Sequence, residues 1–144
     1  MAGGIGIDTD PSLENCLDGL GTNFQFLLGG LELLTRENLP RVNLVVALAV
    51  IEHLDDTQIR EFALKLADIV EPSGQMLLTI PHPLVDKIVD VGISLYLLAG
   101  QDIDSHHGLK PLSAMNIIES AGWVLKSWKK FQFGLNNELI FIRS

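Results

Sequence analysis

Nine consecutive residues, Val42 to Val50, are almost all β-branched or aliphatic. A strand with one wet face alternates apolar and polar residues, whereas a strand covered by helices on both faces is apolar throughout. The run stops at a cluster of four polar residues, Glu52, His53, Asp55 and Asp56. In open α/β sheets, ligands bind just beyond the carboxyl ends of the strands. The pattern therefore predicts a doubly covered strand with a ligand site at its end.

The residues after this strand carry the signals of a helix start. Asp55 or Asp56 is placed to cap the helix, and Gln58 lies at capping-box spacing from Asp55. Apolar residues then recur at helical spacing and leave charged residues on the outside. We predict a helix from about Thr57 to Val70.

The remaining segments alternate between strand and helix until a final hairpin. Strands are predicted at Gly3–Asp8, Phe24–Leu28, Gln75–Ile80, Trp123–Phe133 and Glu138–Ile142. Helices are predicted after an Asp10–Pro11 start, over Leu84–Leu98, and from a Ser113 cap to Ala121; Pro72–Gly74 is predicted as a turn and His106–Gly108 as a loop. This order predicts an α/β fold, a mostly parallel sheet with helices on both faces and a C-terminal antiparallel strand.

Length, charge and cysteine content limit the classes of function. A chain of 144 residues predicts one domain over 1–144. The net charge of −8 argues against a module that binds nucleic acid or an anionic membrane, although Lys126, Lys129 and Lys130 could form a small basic face. Cys16 is the single cysteine, and the first residues lack the pattern of a signal peptide. We expect a cytoplasmic protein without nucleic-acid or membrane partners.

Four stretches resemble the class I S-adenosylmethionine-dependent methyltransferases of the small-molecule type: Gly4–Asp8, Phe26–Glu32, Leu44–Leu54 and Glu71–Pro81. The tail is similar too, with a helix that ends at Ala121–Trp123 before two strands. The likeness covers nearly the whole chain, and Ile51–Leu54 is its most specific part. It implies a Rossmann-like sheet, S-adenosylmethionine or S-adenosylhomocysteine as the cofactor, and methyl transfer to a small-molecule acceptor.

The resemblance also implies which residues bind the cofactor. Asp8, together with Thr9, would hold the two ribose hydroxyls, because a carboxylate offers two acceptor oxygens and charge-assisted hydrogen bonds are strong. Gly29, Gly30 and Leu31 would lie beside the adenine. Ala47 and Leu48 would approach the cofactor from the following strand. The alternative interpretation is that Asp8 only caps a turn and that the two glycines only form one.

Histidines are the candidates for the acceptor side of the site. His53 follows the carboxyl end of a strand, and a histidine exchanges protons near neutral pH, so it is the predicted general base. Its alternative role is a hydrogen bond to nearby backbone. His82 and His107 are candidate substrate-binding residues. No metal site is predicted, because the adjacent pair His106–His107 lacks identified further ligands, and Glu52 is interpreted as structural.

The chain departs from the family pattern at its start. The family's first strand and its glycine-rich loop have no counterpart, because Gly3, Gly4 and Gly6 precede Asp8 too closely for a helix to fit between. Gly30 replaces an acid often found by the adenine, and Asn43 replaces an aspartate that commonly opens the fourth strand. Relative to the family, the chain is expected to be N-terminally incomplete.

A missing first strand has a physical consequence, because that strand lies between the second and the fourth in the family fold. Its absence leaves two inner edges with unpaired backbone groups. Three outcomes are open: the flanking strands pair directly, another chain fills the gap, or the sequence is part of a longer protein. We expect self-association through these edges as one of them.

Two functions from different classes follow from these observations. The first is a methyltransferase in which His53 assists deprotonation and Asp8 holds the ribose. The second is a degenerate or truncated methyltransferase-like domain that acts as a binding or assembly module without catalysis. A nucleotide-binding oxidoreductase is a weaker third interpretation, because the same sheet hosts many activities.

Overall fold

The computed structural model describes residues 3–13, 23–82 and 111–144. Its strands are β1 (Gly4–Asp8), β2 (Phe24–Leu28), β3 (Val42–Leu48), β4 (Val70–Pro81), β5 (Trp123–Phe131) and β6 (Asn136–Arg143). Its α-helices are α1 (Asp56–Ile69) and α2 (Pro111–Ser120), and 3-10 turns span Leu31–Leu33, Ile51–His53 and Gln132–Gly134. The chain forms two compact units, Met1–Pro40 and Arg41–Ser144. The helices predicted through Cys16 and over Leu84–Leu98, and the loop at His106–Gly108, lie outside the described residues.

β1 and β2 form a two-stranded parallel sheet in the first unit. The predictions of a strand at each of these two positions are confirmed. The register pairs Asp8 with Leu28, so the two strands end side by side. After β1, the Asp10 side chain accepts a hydrogen bond from the Ser12 N–H at 2.8 Å. This backbone bond, with a further bond from the Ser12 side chain, holds the pKa of Asp10 below its ordinary value of 3.8.

The second unit contains a four-stranded sheet in the order β3-β4-β6-β5. β3 and β4 are parallel, whereas β6 is antiparallel to both of its neighbours. Three strands therefore run one way and β6 runs the other, which confirms the predicted α/β class and its antiparallel final strand. Helices α1 and α2 contact each other, and they contact β4 and β5 respectively. Neither described helix has the length and apolar content that a bilayer crossing requires.

The core of the second unit lies between this sheet and the two helices. Alternate residues of β4 and β6 point toward the helices, and α1 presents its apolar face to them. The fully or nearly fully buried residues include Met76, Leu78, Ile80, Leu139, Phe141, Ile59, Phe62, Ala63, Leu66 and Ile69. Trp123 is also buried in this core, and its Nε1–H donates a hydrogen bond to the backbone oxygen of Ala63 at 2.9 Å.

β3 does not have the environment that its sequence predicted. Ala47 is buried at 8% exposure, but Leu44, Val46 and Leu48 are 53%, 53% and 57% exposed. β3 is an edge strand of its sheet, and its side chains alternate between the core and a second face. The prediction of a strand buried on both faces is therefore wrong, because an unbroken apolar run does not reveal whether both faces are covered.

Two local predictions also need correction. α2 begins at Pro111, where a proline suits the first turn, so Ser113 lies inside the helix instead of capping it. Residues 72–74 were predicted as a turn, but they belong to β4 and form a bulge against β3. The bulge needs Gly74, because a Cβ there would lie 2.5 Å from Val70 Cγ1 and 2.8 Å from the Glu71 backbone oxygen.

The capping box predicted at the start of α1 is confirmed. Asp55 Oδ1 accepts from the Gln58 N–H at 2.8 Å, and Gln58 Oε1 accepts from the Asp55 N–H at 2.9 Å. Replacing Asp55 with Ala removes this cap and is expected to lower the free energy of unfolding by about 1 kcal/mol, measured by urea denaturation. Asp56→Ala is the control, because Asp56 lies in the first turn outside the box. Equal losses in the two variants would contradict the assignment.

Candidate cofactor and substrate site

Four of the candidate cofactor residues meet where β1 and β2 end. The Gly29 N–H donates to the backbone oxygen of Asp8 at 2.9 Å. A Cβ on Gly30 would lie 3.7 Å from Thr9 Cγ2, so these two residues are also neighbours. Leu31 follows directly and begins a 3-10 turn. The carboxyl ends of two parallel strands thus bring an acid, a threonine and a glycine pair together, as expected for a ligand site in this class of sheet.

The Asp8 carboxylate is exposed and fixed in orientation. Its Oδ1 accepts a hydrogen bond from the Asp10 N–H at 2.9 Å, which is the geometry of an Asx turn. Within the described ranges, the second oxygen, Oδ2, accepts no hydrogen bond. An oriented carboxylate with one oxygen already bonded can use the other to accept a hydrogen bond from a ligand hydroxyl.

Glu32 is a further candidate residue that the sequence interpretation missed. Its Oε1 accepts a hydrogen bond from the Gly30 N–H at 2.7 Å. A Cβ on Gly29 would lie 2.8 Å from Oε1, and a Cβ on Gly30 would lie 3.1 Å from Oε2. The carboxylate therefore occupies space that the two glycines leave open. An acid two residues beyond a glycine pair was the available signal, because that spacing lets the side chain reach back to the pair.

In the second unit, the end of β3 is held by a hydrogen bond to a residue that is distant in the sequence. The Ala49 N–H donates to Thr79 Oγ1 at 3.0 Å, and the register places Leu48 opposite Thr79. Ala49 has a φ of 54°, in the left-handed region that costs an L-residue roughly 1–2 kcal/mol. Strained backbone of this kind clusters at functional sites. Thr79 is another candidate residue that the sequence interpretation missed.

The histidine and glutamate that follow β3 have contrasting environments. Glu52 is 5% exposed, whereas His53 is exposed at the end of the 3-10 turn. His82 follows β4, is half-buried, and its backbone N–H donates to the Leu135 oxygen at 2.8 Å. β3 and β4 are parallel neighbours, so His53 and His82 follow the same end of the sheet. His107 lies outside the described residues.

A groove of about 440 Å³ is present at the opposite end of the same two strands. It is lined by the residues that open β3 and β4, namely Asn43, Leu44 and residues 71–75. Ligands of open α/β sheets bind at the carboxyl ends of the strands, so this groove is not the predicted site. The candidate residues belong to both units, with Asp8 to Leu31 in the first and Ala47 to His82 in the second.

No protein-family model matches the sequence, and no curated protein matches it. The structure of the chain is similar to several solved structures. A possible exported protein from Bordetella parapertussis matches with a TM-score of 0.71 at 14% identity over 96% of this chain and 52% of that protein. The N-methyltransferase NodS from Bradyrhizobium japonicum WM9 matches with a TM-score of 0.68 at 12% identity over 96% of this chain and 72% of NodS.

A third similar structure is the magnesium protoporphyrin IX methyltransferase ChlM from Synechocystis PCC 6803, solved with bound S-adenosylhomocysteine. It matches with a TM-score of 0.65 at 16% identity over 97% of this chain and 64% of ChlM. The chain thus spans about half the length of the Bordetella protein and a larger share of the length of NodS and of ChlM. At sequence identities this low, a structural similarity is evidence for the fold alone. The chain has the Rossmann-like fold of the class I S-adenosylmethionine-dependent methyltransferases.

Proposed function

We propose that this chain is a methyltransferase domain that binds S-adenosylmethionine and transfers its methyl group to a small-molecule acceptor. The observation that carries the proposal is the hydrogen bond from the Gly29 N–H to the Asp8 backbone oxygen, where β1 and β2 end side by side. The fold agrees with it, since NodS and ChlM are methyltransferases with similar structures. Because one fold hosts many activities, the proposal depends on these residues and not on the fold.

Asp8 and the glycine pair fit the nucleoside part of the cofactor. The Asp10 N–H holds one oxygen of the Asp8 carboxylate, and the other would accept a hydrogen bond from a ribose hydroxyl. Gly29 and Gly30 would lie beside the adenine, and their lack of side chains leaves room for the Glu32 carboxylate next to them. Glu32 places a carboxylate beside Gly30, where an exocyclic amino group of a base would find an acceptor.

Residues at and after the end of β3 are the second group in the proposal. When bound, S-adenosylmethionine supplies an electrophilic methyl group. Ala47 and Leu48 would contact the cofactor, and His53 would accept the proton that a hydroxyl or amine acceptor loses. His82 and His107 would bind the acceptor. Most of the rate enhancement would come from alignment of the donor and the nucleophile, which is worth several kcal/mol in well-oriented reactions, on the order of 7–11.

Isothermal titration calorimetry of the chain with S-adenosylhomocysteine tests the proposal. We expect a dissociation constant in the micromolar range, because the proposed contacts to the nucleoside would act without the family's glycine-rich loop, which the sequence is predicted to lack. NAD⁺ is the control ligand, and comparable binding of NAD⁺ would favour the oxidoreductase interpretation. If millimolar S-adenosylhomocysteine gave no heat, the domain would instead be a binding or assembly module.

A further inference from the structure

The four-stranded sheet of the second unit has two edge strands that differ in character. β5 carries Lys126, Lys129 and Lys130 and a register shift between Leu125 and Ser127. Lysines and bulges are the features with which natural sheets prevent an edge from pairing with another strand. Residues 44–48 of β3 contain no charge and keep a regular register with β4, and the register shift of that pair lies before Leu44.

The outer face of β3 is also apolar. Leu44, Val46 and Leu48 alternate along the strand and share one face, and each is more than half exposed. Among the described strands, β3 pairs with β4 alone. Its other side therefore presents a row of backbone N–H and C=O groups next to a stripe of exposed aliphatic side chains. Such an edge is a template for another strand.

We propose that β3 binds a second copy of this chain by antiparallel β3–β3 pairing about a two-fold axis at Val46. The segment Leu44–Leu48 reads Leu-Val-Val-Ala-Leu, so its exposed positions are symmetric about Val46. A two-fold rotation places Leu44 opposite the second copy's Leu48 and brings the two Val46 side chains together. An isologous contact needs this kind of self-complementary surface. The two four-stranded sheets would join into one.

Charge also favours a second copy at this position. Each chain carries a net charge of −8, so two copies repel each other at most surfaces. The β3 edge is uncharged over residues 44–48, and the contact there brings no like charges face to face. A strand of this length buries less area than the roughly 800 Å² per partner of a stable interface, so the dimer would be reversible. Added salt would strengthen it by screening the repulsion.

Sedimentation equilibrium of the full chain over a concentration series tests this proposal, with Val46→Lys as the disrupting variant. We expect wild type to show a monomer–dimer equilibrium and Val46→Lys to weaken it by roughly tenfold or more, because a lysine on an edge strand opposes pairing. Val124→Lys is the matched control. Val124 is 55% exposed on β5, close to the 53% of Val46, and its substitution should leave the equilibrium unchanged.

A monomer at every concentration, or equal effects of the two lysine variants, would overturn the proposal. Hydrogen exchange of the wild type gives a second measurement that needs no variant. The amides of residues 44–48 should exchange more slowly as the chain concentration rises, while those of β5 should not change. Exchange that is independent of concentration at β3 would also overturn the proposal. Cofactor binding plays no part in these measurements, so their outcome is separate from that of the proposed function.

Discussion

Replacing Asp8 with Ala is expected to weaken the binding of S-adenosylhomocysteine by roughly tenfold to hundredfold. Hydrogen bonds to a charged group contribute about 1.5–3 kcal/mol, and the proposed ribose contact depends on this carboxylate. Calorimetric titration of the variant measures the change. Asp8→Asn keeps one acceptor oxygen without the charge, and it should give a smaller loss.

Asp10→Ala is the matched control for the Asp8 variant. Both aspartates are exposed, and each accepts one backbone N–H, at 2.9 Å for Asp8 and 2.8 Å for Asp10. Both substitutions remove the same kind of turn bond, but only one removes the carboxylate that ends β1 beside Gly29. We expect the affinity of the Asp10 variant to stay close to that of wild type. An equal loss in both would mean that Asp8 only shapes the turn.

Replacing Trp123 with Ala is expected to lower the free energy of unfolding by about 3–5 kcal/mol, the range found for large aromatic residues in cores. Trp123 is 2% exposed and lies where β5 meets α1, so its removal leaves a cavity in the core. It also removes the hydrogen bond to the Ala63 oxygen. Urea denaturation followed by circular dichroism measures the loss. Trp123→Phe keeps part of the side-chain volume and gives a measurable intermediate loss if the Ala variant does not fold.

Trp128 provides the control for this prediction. It lies on the same strand, and its Nε1–H donates at 2.9 Å to Asn137 Oδ1, so the two indoles make similar hydrogen bonds. Trp128 is 39% exposed, however, and its removal opens no closed cavity. We expect Trp128→Ala to cost about 1–2 kcal/mol, mainly through the lost bond to the buried Asn137. Equal costs for the two tryptophans would contradict the role given to burial.

Features set by neighbouring residues were predictable from the sequence. The capping box of α1, the ends of β1 and β2 and the antiparallel final pair all depend on short-range patterns. The second face of β3 was predicted to be buried, but it is exposed. Its burial depends on which elements pack against the strand, and the local sequence does not determine that. Ser113 was misplaced because Pro111 is equally suited to the first helical turn.

The candidate site shows the same division. The resemblance placed Asp8 and Gly29–Gly30 at strand ends, and in the structure the Gly29 N–H donates a hydrogen bond to the Asp8 backbone oxygen. Thr79 could not be found from sequence, since it binds Ala49 across 30 positions of the chain. Glu32 is only two residues from Gly30 in the sequence. That spacing alone does not reveal that the Glu32 side chain turns back toward the Gly30 N–H.

The position of β6 affects the order in which the second unit can fold. β6 is the last strand in the chain, yet it lies between β4 and β5 and pairs with both, while those two do not pair with each other. During synthesis, β4 and β5 therefore leave the ribosome before the strand that joins them. β4 and β6 are far apart in the sequence, with Gln75 opposite Ile142. Pairings between such distant segments form slowly and leave apolar surface exposed until they form. The sheet is completed only after the segment Asn136–Arg143 has been translated.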